Sequence, residues 1–421
     1  MRNERYGEPV GIPELKDPAS LGFDTARLRR IEAFLKSTYV EPGRLPNAEL
    51  LLARDGQPFY HTALGELGEG RGPLPGNALF RIASMTKPVT SVAFMQLVEQ
   101  CRVALEDPVG RVIPEFDSLG VYAGGGGQIP FAPVRAAAPI RFVDLLTHMS
   151  GLTYGLQNRT NVDAAYREAG LDLPRNLSAD EYIAELARIP LQHEPGERWN
   201  YSVATDVLGV AIERITGQSL GDYFREHIFE PLGMHDTSFD LTEDQQGRLV
   251  DAYTYSRGGS PKRVEAGNES ALFKPASFHS GGGGLVSTVT DYHRFCTMLL
   301  GGGMADGVRI VSPKTLDLMT ANHLPGGADL TAMSDALFSE ASNAGTGFGL
   351  GFAVVIDPAR TLVPSSRGEF YWGGAYSTAF FVDPLEGITM VFMTQVYPSF
   401  IYPLRRQLRT LVYAALAESR A

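Results

Sequence analysis

Two cysteines, Cys101 and Cys296, are all that 421 residues contain. Two isolated thiols supply no zinc framework, and a disulfide scaffold is not expected in a chain of this size. No apolar run approaches the ~20 residues that span a bilayer, so no membrane span is expected. Basic residues are also in deficit: 37 Lys and Arg stand against 48 Asp and Glu, a formal net charge of -11. That balance argues against nucleic acid and anionic membranes as partners. The acidic residues are dispersed and form no tail, which fits a role in solubility. The opening MRNERYGEPVG is polar and lacks an apolar h-region, which predicts no secretory leader and a reduced, cytoplasmic setting. The eight histidines include no His-Glu-x-x-His pair, so a metalloprotease is unsupported.

What is present is ordinary in amount and uneven in arrangement. Hydrophobic residues make up 44% and charged residues 20%, enough for a sizeable core. The length suits two or three domains, or one large two-part fold. Asp24 is placed to cap a helix through Val40, and Asp55-Gly56 marks a hairpin between two strands. Val89 to Leu105 reads as a buried helix. Residues 117–139 form a loop or flap rich in glycine and proline, without the Gly-Lys-Ser/Thr of a phosphate cradle. Helical patterns dominate from Arg141 to Phe239, one of them ending at Gly217 as a C-cap. Strand patterns return with FGLGFAVVID from Phe348, and a last helix, LRRQLRTLVYAALAE, closes the chain. The expected architecture is therefore α/β plus all-α: an antiparallel sheet flanked by helices, with a helical second lobe. Residues 1–80 and 340–421 would form the sheet domain, and 81–339 the helical one.

Of the six lysines, only Lys87 has a serine three places before it. Pro88 tolerates only the first turn of a helix, which puts Ser84 at a helix start. Free N–H groups and the positive end of the helix dipole there favour an oxyanion. Lys87 falls on the same face one turn along. A lysine of ordinary pKa, near ~10.4, is under ~0.1% neutral at pH 7, so it acts as a base only when burial or a second cation lowers that value. Otherwise it works electrostatically. A plain N-cap followed by a plain lysine is the competing reading of these four residues.

Four further segments weigh against that alternative: THMSGL (Thr147 to Leu152), PGERWNYS (Pro195 to Ser202), SGGGGLVSTVTDYHRF (Ser280 to Phe295) and YWGGAYS (Tyr371 to Ser377). With SMTK, and in this order, they resemble the serine β-lactamase-like superfamily of class C β-lactamases and DD-peptidases. The esterase branch, the family VIII carboxylesterases, is the nearest part of it, and the resemblance covers Leu21 to Leu416. It implies a β-lactamase/DD-peptidase-like fold, an acyl-enzyme on Ser84 and Lys87 as its activating partner. Tyr201 matches the tyrosine of the family's Tyr-x-Asn motif and would take the serine proton, then return it to the leaving alcohol. Ser84 and Ala375 would supply the oxyanion-hole N–H groups. No cofactor or metal is implied.

The chain departs from the family pattern twice. Val203 replaces the asparagine of Tyr-x-Asn, and Trp372-Gly373-Gly374 stands where β-lactamases have Lys-Thr-Gly. A tryptophan cannot hold a substrate carboxylate, so the expected substrates are small neutral esters, with Trp372 at the pocket rim. Gly373 and Gly374 would let a strand edge approach the substrate. His148 and His279 read as structural, and Gly281 to Gly284 as a tight turn behind the site. An α/β-hydrolase, with its serine on a Gly-x-Ser-x-Gly turn, is set aside. The remaining alternatives are a β-lactamase, DD-peptidase or acyltransferase on the same scaffold, or a non-catalytic binder.

Overall fold

Asp55 and Gly56 take left-handed φ values of 51° and 73°. Strand β1 (Asn47–Arg54) therefore folds straight back on β2 (Gln57–Gly65), as the sequence predicts. The computed structural model describes residues 11–256, 260–334 and 343–420. Residues 1–10, which bear on the leader reading, and the expected junction at 339/340 lie outside the described residues. Five more strands follow late in the chain: β3 (Thr346–Phe348), β4 (Ala353–Val355), β5 (Phe370–Gly373), β6 (Ala379–Asp383) and β7 (Ile388–Met393). With the first hairpin they make one seven-stranded sheet in the order β3-β4-β5-β6-β7-β1-β2, each neighbouring pair antiparallel. Leu51 pairs with Val391 across the seam, so the two ends of the chain meet within one sheet.

Alternation along the strands divides two cores. Leu51, Phe380, Val382 and Val391 join the larger one, and Leu50, Leu52, Phe381, Met390 and Phe392 the smaller. Among the helices that pack into these cores are α1 (Thr25–Leu35), α2 (Thr86–Glu99), α3 (Ala204–Thr216), α4 (Val289–Leu300) and α5 (Leu404–Ala414). The smaller core is closed by α1 and α5, while α2, α3 and α4 belong to the larger. The larger core runs without a break from the sheet into the helices, so the two expected regions share it. Asp24 caps α1 by accepting from the N–H groups of Ala26 and Arg27, and Gly217 ends α3 at φ 75°.

The helix expected through Leu105 stops at Glu99. Cys101 adopts φ 55°, and the N–H groups of Cys101 and Arg102 turn back to Val98 and Leu97. A local left-handed residue, unmarked by glycine, ends the helix. The segment 117–139 holds a short antiparallel pair, Gly120–Tyr122 with Pro133–Ala136, and Gly125, Gly126 and Gly127 all have positive φ. Among the described residues no helix is long and apolar enough to cross a membrane.

Arg54 fastens the chain ends to the sheet. Its side chain is 4% exposed; it donates to Glu386 Oε2 at 3.1 Å and to the carbonyls of Leu21, Glu386 and Glu418 at 2.8, 3.0 and 3.0 Å. Removing one partner of a buried ion pair leaves the other charge uncompensated, at a cost of about 3–5 kcal/mol. Arg54→Ala should therefore lower the unfolding free energy by about that amount in urea titrations. A loss under about 1 kcal/mol would mean that the pair behaves like a surface bridge.

Candidate active site

Ala83 takes φ 45°, a left-handed value that a side chain adopts at some cost, and lifts the chain into a short 3-10 turn, Ala83–Met85, that carries Ser84. Helix α2 starts at the next residue, with Pro88 third in it, so proline falls in the first turn as expected. The helix is apolar on every side and its first twelve residues are buried, which carries Lys87 into the interior at 2% exposure. Lys87 Nζ then donates to Ser84 Oγ at 3.3 Å, Tyr154 OH at 3.0 Å and the Gly282 carbonyl at 2.6 Å. Three acceptors match the three protons of an ammonium.

Aromatic rings enclose this cation. Nζ stands 4.7 Å from the Tyr201 ring centroid and 5.2 Å from that of Tyr154. Tyr201 is packed in turn against His148 at 4.9 Å, Trp372 at 5.5 Å and Trp199 at 6.1 Å, the last stacked. Burial, reinforced by the nearby Asp206 carboxylate, holds the Tyr154 phenol well above its ordinary range, so it stays protonated. Burial and the Lys87 charge push His148 well below its ordinary range, and this neutral ring contacts Ser202 Oγ at 3.2 Å. His148 is structural, as is His279, which stacks on Phe239, accepts from the Gly221 N–H and contacts Asp240.

Beneath the lysine lies a carboxylate. Asp206, on α3, is 1% exposed; its Oδ1 accepts from Ser280 Oγ at 2.5 Å and from the Gly282 N–H at 3.0 Å. Burial raises its pKa, and Lys87 acts in the opposite sense. A Cβ on Gly282 would come within 2.3 Å of that carboxylate, so only glycine fits. The Gly281 to Gly284 run is therefore more than a turn behind the site: it presents a carbonyl to Lys87 on one side and an N–H to Asp206 on the other.

Trp372, at the end of β5, lines the same cavity as Ser84, Tyr154, Tyr201 and Ala375, a space of about 700 Å³ that also takes in Leu156, Leu173, Phe278 and Phe400. The two glycines after Trp372 line the cavity, but the room they leave is filled by protein. A Cβ on Gly373 would meet the Arg405 guanidinium at 2.6 Å; one on Gly374 would meet Thr378 Oγ1 at 2.2 Å and the Ile82 carbonyl at 2.3 Å. On the side where a Cβ would stand, both glycines lie against α5 and the backbone just before Ser84, and both also line the cavity.

The structure thus brings Ser84, Tyr201, Trp372 and Ala375 around one cavity, with Lys87 buried behind Ser84 and Tyr201 and Val203 fully buried at the start of α3. Sequence reasoning missed Tyr154, Asp206 and the Gly282 carbonyl. Tyr154 follows THMSGL by one residue and Asp206 lies five after Tyr201, so both stood beside quoted motifs. A second serine pattern, Gly217-Gln218-Ser219-Leu220-Gly221, does have the nucleophile-elbow spacing. Its setting sets it aside: Ser219 follows helix α3 and caps the short helix Leu220–Phe224, accepting from the Asp222 N–H at 3.1 Å and donating to Asp222 Oδ2 at 2.7 Å. Among the described residues no group of three His, Cys, Asp or Glu is placed to hold a metal ion.

The chain is similar to known proteins along most of its length. The beta-lactamase family profile matches residues 31–414. Esterase EstB of Burkholderia gladioli is 32% identical, over 94% of this chain and 98% of its own. Protein Rv1367c of Mycobacterium tuberculosis is 39% identical, over 77% of this chain and 79% of its own. Among solved structures, EstCE1, described as a hydrolase with promiscuous acyltransferase activity, superposes with a TM-score of 0.76 at 27% identity, over 94% of this chain and 99% of its own. The chain belongs to the beta-lactamase family and is a serine hydrolase of the β-lactamase and penicillin-binding-protein-like fold, on the esterase-like side of that superfamily.

Proposed function

We propose that this member of the beta-lactamase family is a carboxylesterase of the family VIII type, hydrolysing small neutral esters through an acyl-enzyme on Ser84. The observation that carries this reading is the buried Lys87 ammonium, 3.3 Å from Ser84 Oγ. Ser84 Oγ attacks the ester carbonyl, and the N–H groups of Ser84 and Ala375 hold the oxyanion that forms. The Ser84 proton passes to the Lys87–Tyr201 unit and on to the departing alkoxide, which leaves as alcohol. Water then repeats the sequence on the acyl-enzyme. With its three protons directed at three acceptors, Lys87 serves as a fixed cation, and the Ser84 proton goes to the Tyr201 oxygen acting as phenolate, which becomes the phenol that later protonates the alkoxide. Tyr154, kept protonated, holds Lys87 in place. An acyltransferase that passes the acyl group to an alcohol shares every step up to the acyl-enzyme, and the EstB and EstCE1 names support both outcomes.

Ser84→Ala should lower ester hydrolysis by several orders of magnitude; retention of more than a few per cent by the purified variant would rule Ser84 out as nucleophile.

The two tyrosines should separate. Loss of general acid–base transfer in Tyr201→Phe should lower kcat by about 10²–10⁴-fold. Tyr154→Phe removes one hydrogen bond to a charged group, about 1.5–3 kcal/mol or roughly ten- to 150-fold. A larger loss for Tyr154→Phe would exchange their roles.

Substrate charge is the third test. A β-lactam carries a carboxylate that needs a cation or several donors in a desolvated pocket, whereas Trp372 offers an indole face that suits a neutral ester. Short-chain p-nitrophenyl esters should be turned over with a higher kcat/KM than a chromogenic cephalosporin, by about ten- to 150-fold for one missing charge-assisted contact. Equal or reversed values would favour the β-lactamase alternative.

A further inference from the structure

Helix α5, from the far end of the chain, reaches the turn that follows Trp372. Arg405 Nη2 donates to the Gly374 carbonyl at 2.9 Å and to the Thr378 carbonyl at 3.2 Å. Gly374 C=O and Ala375 N–H belong to one planar peptide unit, and in a trans peptide they point in opposite directions. Whatever fixes the oxygen aims the N–H. The same turn is held on its other side. The Gly374 N–H donates to the Thr378 carbonyl at 2.9 Å, and Thr378 Oγ1 donates to the Ile82 carbonyl at 3.3 Å, two residues before Ser84. The guanidinium also fills the space over Gly373, where a Cβ would lie 2.6 Å from Nη2.

We propose that Arg405 is a positioning residue that orients and polarises the Gly374–Ala375 peptide, so that the Ala375 N–H is ready for the oxyanion. A cation bonded to the amide oxygen draws electron density from the nitrogen, and hydrogen bonds in series strengthen one another. The amide then donates more strongly, and its direction is set before substrate arrives. Lysine is a poor substitute, because a single ammonium lacks the planar fork that lies over Gly373 while reaching two carbonyls. The inference rests on the reading of Ser84 as the acylated residue and Ala375 as an oxyanion donor.

The test uses the full chain, its Arg405→Ala and Arg405→Lys variants, and p-nitrophenyl pivalate labelled with ¹³C at the carbonyl. The hindered acyl group slows hydrolysis, so that the acyl-enzyme accumulates for mass mapping and infrared difference spectra. Expected are label on Ser84 in all three proteins, an acyl carbonyl band at higher wavenumber in Arg405→Ala, and kcat lower by about ten- to 100-fold with KM within about twofold. Arg405→Lys should fall between, and it decides the matter alone if the alanine variant fails to fold. Label on Ser84 with an unmoved band and kcat within about twofold would overturn the role of Arg405 and leave the esterase reading intact. Label on another residue would overturn both.

Discussion

The ammonium of Lys87 is the constraint around which the site is built. An isolated cation in an apolar interior is expensive, and it persists only where hydrogen bonds and a counter-charge surround it. Here the ammonium meets a serine, a phenol and a peptide carbonyl, with the Asp206 carboxylate one hydrogen bond beyond. Val203, which stands in place of the family's asparagine, is buried in the core, and beyond Ser84 the acceptors around Lys87 are Tyr154 and Gly282. Gly282 also explains its own identity, since its carbonyl reaches the lysine only while its N–H and Cα lie against Asp206. One glycine thereby connects α2 to α3 through a buried cation and a buried anion.

Ser84, the proposed nucleophile, follows a strained residue. The positive φ of Ala83 costs of order 1–3 kcal/mol, and such a residue persists only where its surroundings over-determine it. Thr86 Oγ1 donates to the Ala83 carbonyl, Tyr292 OH to the Met85 carbonyl, and Thr378 Oγ1 to the Ile82 carbonyl. The next residue in the chain and two elements distant in sequence thus grip the tetrapeptide around Ser84. A nucleophile held this way does not have to be ordered by its substrate, which is the condition for keeping binding energy for the transition state.

Local chemistry was legible in the sequence and tertiary chemistry was not. The Asp55-Gly56 hairpin, the Asp24 cap and the Gly217 stop each follow from one or two residues whose backbone preferences decide the outcome. Ser84 and Lys87 were legible because a three-residue spacing on a helix start is itself a geometry. The end of α2 was not, since Cys101 takes a left-handed conformation that its residue type does not announce. The Gly282 carbonyl was hidden for a different reason: a backbone acceptor has no letter in the sequence. Asp206 read as one acidic residue in an amphipathic helix until folding placed it, fully buried, under the glycine loop. The approach of Arg405 to Gly373, 32 positions earlier, was hidden as well, because the sequence does not show which side chain packs over a glycine.

The aromatic wall bears on what the site does once an acyl group is attached. Tyr201, Trp199, His148, Phe348 and Trp372 form a continuous set of ring contacts, with Trp372 5.4 Å from Phe348 and Trp199 at the same distance from Phe348. Such a wall contributes apolar surface and few groups that bind water, so the second half-reaction depends on how a nucleophile is held near the acyl carbonyl. Water gains little from indole and phenyl faces, whereas an alcohol with an apolar body gains by burial, at about 25 cal/mol per Å². In the mechanism proposed above, the Lys87–Tyr201 unit that returns a proton to a leaving alcohol would accept one from an incoming alcohol by microscopic reversibility. Under that proposal, hydrolysis and acyl transfer are one mechanism, divided by the relative occupancy of water and alcohol beside Trp372.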